Sequence, residues 1–260
     1  MNGIKIVSWN VQNGLNADQA PVLAEQLAYI EGVDADVVAL QEVDQHYWAS
    51  LQQYLPAYQW HFAAAVTTYQ QGQLQQFGNV IGSRLLIEQW RSHCLLPAET
   101  EALWHMPRSV GELVISYQGQ AWRILTCHLE FFCPHLRQHQ LAQIQQIIDA
   151  GALLQRCPSR ATLGWYQPLS LPVEAILCGD FNIADGSEEF FAQLQRPNWF
   201  DLGQPSRAPT CGIFDRKQWP QGADRRDFFF AIGAPMNGKV DTDIKTALSD
   251  HQPLFLTLTQ

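Results

Sequence analysis

The sequence is poor in lysine and lacks the long apolar runs that mark membrane proteins. Four of its 260 residues are lysine, and the formal net charge is −9. This balance argues against a protein that coats nucleic acid by electrostatics alone. It is compatible with a nuclease, since a bound divalent metal supplies positive charge at a scissile phosphate. No run of about 18 consecutive apolar residues occurs, so we expect no membrane span.

The sequence also lacks paired cysteines. None of its six cysteines forms a C-x-x-C pair, which argues against a zinc ribbon or a thioredoxin-type redox site. Cys127 and Cys178 lie in apolar runs, so we expect them to be buried free thiols. The N-terminus has no basic segment followed by an apolar one, and we therefore expect no signal peptide. Free thiols without such a signal are typical of the cytoplasm, where we expect this protein.

Three common catalytic motifs are absent as well: the G-x-x-x-x-G-K-[ST] phosphate loop, the G-x-S-x-G nucleophile elbow and the G-x-G-x-x-G fingerprint. Hydrophobic residues make up 47% of the chain, which is enough for a large core and excludes global disorder. Short β-rich runs alternate with a few helical ones, without an internal repeat or a clear linker. We therefore expect one α/β domain over residues 1–260, built as a layered sandwich.

The spacing of apolar residues predicts individual elements. Helices are expected at 18–31, 45–54 and 135–154. Strands are expected at 4–11, 36–41, 59–66, 79–83, 85–90, 112–117, 121–128, 173–178, 227–232 and 254–258. Two polar segments, 67–77 and 158–172, are expected to be loops, either solvated connections or a rim that contacts substrate.

Acidic, amide and histidine side chains fall at the ends of these predicted strands. They are Asn10, Glu42, His128, Asp180 and Asn182, with Asp250 and His251 just before the last strand. Stacked in sheets, these ends would meet at one edge. Oxygen ligands of this kind suit Mg²⁺ or Mn²⁺. Imidazoles held by carboxylates suit proton transfer or the stabilisation of developing negative charge.

Seven short segments between residues 8 and 251 carry these residues and give a resemblance to a known family. They are Ser8-Trp9-Asn10-Val11, Leu40-Gln41-Glu42-Val43, Gly78-Asn79 through Ser83-Arg84, Thr126-Cys127-His128-Leu129, Gly179-Asp180-Phe181-Asn182, Arg226-Asp227-Phe228-Phe229 and Ser249-Asp250-His251. In composition and order they resemble the endonuclease/exonuclease/phosphatase superfamily, whose fold is that of pancreatic deoxyribonuclease. The resemblance implies a four-layer α/β/β/α sandwich, with helices flanking two packed mixed β-sheets. It also implies a metal-dependent phosphoric ester hydrolase.

The same resemblance implies a cofactor, Mg²⁺ or Mn²⁺, and residues that hold it. Glu42 would be the main metal ligand, with Asn10 beside it and Asp250 nearby. Asp180 would orient or deprotonate the attacking water. Asn182 would hold that water or a phosphate oxygen.

Two histidines and an aspartate complete the implied catalytic set. His251 would contact the phosphate and stabilise its developing charge, or act as an acid. Asp227 would hydrogen-bond to His251 and fix its tautomer. His128 would contact the phosphate or protonate the leaving group.

Five further residues are candidates for substrate binding. Asn79 and Arg84 would support the site, and Thr210 lies in an Ala-Pro-Thr segment like those that line substrate grooves in relatives. The stretch 215–226 is the most basic part of the chain. It is either a solvated loop or a set of phosphate contacts that includes Arg225 and Arg226.

The segment His128-Leu129-Glu130 indicates a branch of the superfamily. With Arg137 and Gln140, which we expect to be structural, it looks more like deoxyribonuclease, tyrosyl-DNA phosphodiesterase and sphingomyelinase relatives than like the abasic-site repair branch. We therefore expect a monomeric nuclease or nucleic-acid phosphodiesterase that uses in-line attack by an activated water. Two alternatives stay open: an enzyme for a small-molecule or lipid phosphoester, of inositol phosphate or sphingomyelin type, and a binding module without catalysis.

Overall fold

The structure, a computed structural model, describes residues 3–161, 163–167, 171–204 and 206–259. The strands are β1 (Ile4–Asn10), β2 (Val37–Asp44), β3 (Gln59–Gln70), β4 (Gln73–Ser83), β5 (Leu86–Leu95), β6 (Arg108–Tyr117), β7 (Gln120–His128), β8 (Ala175–Asp180), β9 (Trp199–Asp201), β10 (Asp227–Ile232), β11 (Gly238–Thr242) and β12 (Leu254–Leu258). The helices are α1 (Leu23–Val33), α2 (Gln45–Tyr54), α3 (Pro134–Arg156) and α4 (Glu188–Gln193).

The strands form two mixed sheets of six strands each. The first sheet has the order β11-β12-β1-β2-β4-β3, and the second has the order β5-β6-β7-β8-β10-β9. Strands β1 and β2 are parallel, as are β7 and β8, whereas the other neighbours are antiparallel. The carboxyl ends of each parallel pair therefore lie at the same edge of their sheet.

Three apolar clusters hold the layers together. One lies between the sheets and includes Ile6, Ile81 and Ile176. A second joins α1 and α2 to the outer face of the first sheet, and a third joins α3 and α4 to the outer face of the second sheet. This α/β/β/α order confirms the fold that the family resemblance implies.

Two of the helices begin at side chains that cap their free N–H groups. The carboxylate of Asp44 accepts a hydrogen bond of 2.7 Å from the backbone N–H of Tyr47 at the start of α2. The hydroxyl of Ser187 likewise accepts from Phe190 N at the start of α4. Each cap satisfies an N–H group that the helix leaves without a partner. Helix α3 instead begins at Pro134, whose missing N–H costs nothing in the first turn.

Two local predictions were wrong. The helix expected from residue 18 begins at Leu23, because the side chain of Asn16 accepts from Asp18 N and Ala20 N and forms a turn there. The segment 67–77, expected to be a loop, is the end of the β3–β4 hairpin. Its exposed, glutamine-rich strands carry no apolar alternation, and its turn uses the left-handed backbone of Gln71 and Gly72. Part of the expected loop 158–172 lies outside the described residues.

Two predictions about burial and membranes can also be compared with the structure. Cys127 and Cys178 are buried free thiols, as predicted. Among the described residues, no helix is both long enough and apolar enough to cross a membrane.

Candidate active site

The candidate site lies at the edge where strand ends of both sheets meet. Asn10 ends β1 and Glu42 lies near the end of β2, whereas His128 ends β7 and Asp180 ends β8. His128 is paired in register with Asp180 across β7 and β8. A cavity of about 350 Å³ opens at this edge. Its lining is Glu42, Met106, Arg108, His128, Phe131, Phe132, Asp180, Asn182, Gln218, Asp250 and His251.

Asn10 joins the two sheets at this edge. Its Nδ2 atom donates to Oε1 of Glu42 in the same sheet and to Oδ2 of Asp180 in the other, at 3.1 Å each. Its Oδ1 atom accepts from the backbone N–H of Gln12. In this arrangement the amide separates two carboxylates by donating to both.

Glu42 reaches the cavity because β2 is irregular there. The pairing with β4 shifts between Leu40 and Val43, and the backbone of Glu42 has a φ of +55°. Gln41 is buried between the sheets, where its Nε2 atom donates to Oγ1 of Thr126. The bulge directs Glu42 to the edge, and left-handed backbone at a residue other than glycine is often found at functional sites.

His251 is held between two carboxylates. Its Nδ1 atom lies 2.9 Å from Oδ2 of Asp227, and its Nε2 atom lies 3.6 Å from Oδ2 of Asp180. Burial lowers the pKa of His251, but the charges of Asp227 and Asp180 outweigh this effect and raise it well above the usual 6.5. The ring is therefore protonated at neutral pH, and both of its nitrogens are donors.

The segments around residues 10 and 250 hold each other in place. The indole Nε1 of Trp9 donates to the backbone oxygen of His251 at 2.9 Å. The hydroxyl of Ser249 donates to the backbone oxygen of Asn10 at 2.7 Å. These buried bonds fix the backbone from which Asp250 and His251 extend.

His128 has the opposite protonation. Its Nδ1 atom lies 3.2 Å from Nη1 of Arg108, and its Nε2 atom faces Asp180 at 3.5 Å and Glu42 at 3.9 Å. Burial lowers its pKa well below 6.5, and the positive charges of Arg108 and His251 lower it further. His128 is therefore neutral at neutral pH.

The carboxylates of the site repel one another. Burial raises the pKa values of Glu42, Asp180 and Asp250, and neighbouring carboxylates raise them further. With Asp227 there are four acids near the cavity, against the guanidinium of Arg108 and the imidazolium of His251. Full ionisation leaves two negative charges in excess, which a divalent cation would balance.

The residues matched by the family model of the "Endonuclease/Exonuclease/phosphatase family" are 7–251, which include every catalytic candidate described above. The chain belongs to the endonuclease/exonuclease/phosphatase family. Members of this family are hydrolytic phosphoesterases, so the predicted enzyme class is confirmed. Curated protein sequences contain no match to this chain.

Solved structures of other proteins have a similar fold. A mannosyl-6-phosphatase of Bacteroides thetaiotaomicron is 18% identical, with a TM-score of 0.72, over 99% of this chain and 100% of its own. D. rerio TDP2, complexed with a single-strand DNA product, is 19% identical, with a TM-score of 0.66, over 100% of both chains. Sphingomyelinase C from Streptomyces griseocarneus is 15% identical, with a TM-score of 0.69, again over 100% of both. At these identities the likeness concerns the fold.

Arg84, expected at the site, lies at the opposite end of the first sheet. Its guanidinium pairs with Asp34, and its backbone N–H donates to Asp36 O, just before β2 begins. Glu42 is six residues further along, which is roughly 20 Å at about 3.3 Å per residue. The expectation that Arg84 supports the family's active site was therefore wrong.

Thr210 and Arg225, expected to bind substrate, are buried behind the site. The hydroxyl of Thr210 accepts from the backbone N–H groups of Arg226 and Asp227, so it fixes the start of β10. Arg225 is 5% exposed and pairs with Asp201 at 2.6 Å and with Asp185 at 3.2 Å. Neither side chain lines the cavity, which corrects both expectations.

The remaining substrate-binding candidates lie closer to the catalytic residues. Asn79 is buried and donates to Ser109 O at 2.8 Å, in a small cleft that it shares with His128. Arg226 pairs with Asp224 and lies over the ring of Trp219, which is roughly perpendicular to the ring of His251. Asn182 lines the cavity, and its Nδ2 atom donates to Leu129 O.

Sequence reasoning missed Arg108 as a residue of this site. The side chain is 4% exposed, its Nε atom has no hydrogen-bond partner, and it lines the cavity. Its only sequence signal is a charge at the start of an apolar strand. That signal does not reveal the partner, because His128 is 20 residues away on the next strand.

Sequence reasoning also missed the walls of the cavity. Met106, Phe131 and Phe132 form an apolar side of it. Glu130 is fully buried, and its carboxylate accepts from Met106 N at 2.8 Å and from Phe132 N at 2.9 Å. One carboxylate therefore holds both segments of this wall. Arg137 and Gln140, which were predicted to be structural, support the same wall. Their side chains hydrogen-bond to the backbone of Glu130.

Proposed function

We propose that the protein is a divalent-metal-dependent phosphodiesterase that cleaves nucleic acid. The observation that supports this most directly is the carboxylate of Asp180, which lies 3.5 Å from Nε2 of His128 and 3.6 Å from Nε2 of His251. The surroundings of these two histidines shift their pKa values in opposite directions. Groups whose pKa values are driven apart by their surroundings are suited to separate acid and base roles. The donors also suit a hard cation, because carboxylate oxygens are the ligands that Mg²⁺ and Mn²⁺ prefer.

Glu42 and Asp250 are the residues that would hold the metal. When bound, the cation supplies positive charge that neutralises the phosphate oxygens. Asp180, Asp227 and His251 offer ligand atoms within 4.8 Å of one another. We place the metal away from His251 nonetheless, because both ring nitrogens of a protonated histidine are donors and cannot bind a cation.

The side chains divide the chemistry among them. Asp180 accepts the proton of the attacking water in this proposal, which is supported by the position of its carboxylate between the two histidines. His251 donates from Nε2 to a phosphate oxygen, and Asp227 keeps its ring charged and oriented. His128, with its proton on Nε2, donates to another phosphate oxygen or to the leaving oxygen. Positioning and charge stabilisation of this kind account for most catalysis at phosphorus.

Nucleic acid is favoured by the aromatic side chains around the cavity. Phe131 and Phe132 are 36% and 55% exposed, and Phe131 contacts Trp219 edge to face. Exposed aromatic rings stack on bases of single strands. Arg226 lies 4.5 Å above the ring of Trp219 and pairs with Asp224.

A second candidate is an enzyme for a small-molecule or lipid phosphoester. It is favoured by the net charge of −9 and by a cavity of about 350 Å³, which suits one phosphoester with a short substituent. Proteins of similar fold include the mannosyl-6-phosphatase and the sphingomyelinase C.

The test is cleavage of end-labelled single- and double-stranded DNA and RNA with Mg²⁺. We expect cleavage that is lost in chelator and in the Asp180→Asn protein. Asp149→Asn is the matched control, because Asp149 is an exposed carboxylate on α3 outside the site. Absence of nucleic-acid cleavage, together with phosphate release from sugar phosphates or cleavage of sphingomyelin, would support the second candidate. No turnover of any of these substrates would support the binding module.

A further inference from the structure

A second groove, of about 360 Å³, lies beside the catalytic cavity. Gln218 lines both, so the two are neighbours on the surface. One wall is the segment 214–218, and the other is the turn at residues 17–19. We propose that this groove binds the next phosphate of a nucleic-acid strand whose scissile phosphate lies in the cavity. This inference rests on the proposed function, because it assigns the neighbouring part of the same substrate.

The charge of the groove comes from Arg216 and Lys217. Both side chains are exposed, and neither forms an ion pair with any residue in the described ranges. The neighbouring arginines differ, since Arg225 and Arg226 are bound to carboxylates. In a chain with a net charge of −9, two unpaired cations next to the catalytic cavity provide a local site for an anion.

The walls of the groove are held in shape before a ligand arrives. The carboxylate of Asp215 is buried, and its Oδ1 atom accepts from the backbone N–H groups of Lys217 and Gln218 at 3.0 Å each. Trp219 N donates to Asp215 O and closes the same turn. The carboxylate of Asp215 therefore binds backbone N–H groups rather than the side chains of Arg216 and Lys217. A site formed in advance loses less entropy on binding.

The aromatic ring of Phe214 points to a nucleotide rather than to an isolated anion. It is 39% exposed and lines the same groove as the two cations. Cations that follow the backbone, combined with aromatic rings that stack on bases, are typical of single-strand binding. Asp18 adds an exposed carboxylate to the opposite wall, so it weakens the site for an anion.

The first arm of the test compares two substrates. A tetranucleotide carries phosphates beyond the scissile one, whereas the p-nitrophenyl ester of thymidine 5′-phosphate carries one phosphate. We expect the Arg216→Gln/Lys217→Gln protein to lose roughly tenfold in kcat/KM on the tetranucleotide, from two exposed charge contacts. The loss on the ester is expected to be at least fivefold smaller. An equal loss on both substrates would overturn the inference.

A matched control removes the same charge elsewhere. Arg156 and Arg160 are exposed and lie at or beyond the end of α3, which begins near the cavity and runs for 23 residues. We expect the Arg156→Gln/Arg160→Gln protein to keep the wild-type ratio of the two kcat/KM values. If this control lowers the ratio as much as the groove variant does, the effect is one of net charge and the inference fails.

The second arm measures binding without catalysis. A fluorescent tetranucleotide is titrated into the Asp180→Asn protein at several salt concentrations, with and without the groove substitutions. We expect the slope of log Kd against log salt to fall by about 0.7 for one neutralised phosphate, and Asp18→Asn to tighten binding. An unchanged slope, or no binding at all, would overturn the inference. Binding that depends on the groove, in a protein that cleaves no phosphoester, would refute the proposed function alone.

Discussion

The guanidinium of Arg108 lies 3.2 Å from Nδ1 of His128, although both side chains are nominally cationic and both are buried. Arginine only donates hydrogen bonds, so Nδ1 of His128 is the acceptor and its proton is on Nε2. Nε2 faces the carboxylates of Glu42 and Asp180. One arginine thus determines the charge, the tautomer and the direction of the proton of this histidine.

Replacement of Arg108 by Gln should raise the pKa of His128. Burial still lowers this pKa, but the positive charge beside Nδ1 is gone, so the pKa moves up towards 6.5. The acidic limb of the pH–activity profile should move to higher pH with it. Titration of the histidine ring resonances by NMR measures the shift. Arg84→Gln, at the far end of the first sheet, is the control and should leave the pKa of His128 unchanged.

Replacement of Asp227 by Asn should disable His251. Asp227 accepts the hydrogen bond from Nδ1 and is the largest influence that raises the pKa of this histidine. Without it the ring loses its charge and its fixed orientation, and we expect kcat/KM to fall by about 100-fold or more. The measurement is kcat/KM against pH, with circular dichroism to verify folding. A decrease of less than about threefold would refute the role of Asp227.

Much of the site could be predicted from the sequence, because it is carried by strand ends. Asn10, Glu42, His128 and Asp180 each follow an apolar run, and parallel pairing brings such ends together whatever the loops between them do. The buried hydroxyl of Thr210 and the buried ion pairs of Arg225 could not be predicted in this way. Their roles depend on how the segments around residues 210 and 225 pack against the start of β10, which their own sequence does not reveal.

Arg84 illustrates a different limit of sequence reasoning. It follows Asn79 by five residues within one matched segment, and the family resemblance implied that both support the site. In an extended strand that spacing corresponds to roughly 16 Å, at about 3.3 Å per residue. Asn79 lies near the middle of β4, whereas Arg84 lies just beyond its carboxyl end.

Replacement of Glu42 by Gln should have opposite effects on metal binding and on stability. Loss of a charged ligand is expected to raise the Mg²⁺ concentration for half-activation by at least roughly 10–100-fold. Loss of a residue that only hydrogen-bonds to a metal ligand already lowers metal affinity or activity by roughly this factor. The pKa of Glu42 is raised on folding, so its ionised form opposes folding. This destabilisation is absent when the pH is below the pKa of Glu42 in the unfolded chain. It is complete once the pH exceeds the pKa of Glu42 in the folded protein.

Stability measurements test this second effect. In chelator at neutral pH, the Glu42→Gln protein should have a higher Tm than the wild type, and the difference should vanish as the pH falls below the unfolded pKa. Asp149→Asn is again the control for removal of a carboxylate. A lower Tm for Glu42→Gln at neutral pH would contradict the expectation.

Replacement of Glu130 by Ala should loosen the apolar wall of the cavity. The buried N–H groups of Met106 and Phe132 would lose their acceptor, at about 1–3 kcal/mol each. We expect a lower Tm and a KM raised several-fold, with a smaller change in kcat. Glu130→Gln keeps one acceptor oxygen and should give intermediate values. Equal KM values for the wild type and both variants would rule out this positioning role.

The bridging amide of Asn10 makes the enzyme sensitive to how its two halves are aligned. The first sheet supplies Glu42, and the second supplies His128, Asp180 and Asp227. Neither half holds a complete set, so a slip of one sheet past the other by a single residue would separate the catalytic groups while each sheet kept its hydrogen bonds. The rate of turnover therefore depends on the correct packing of the two sheets against each other. During gradual denaturation we expect activity to disappear before the far-ultraviolet signal of the strands does.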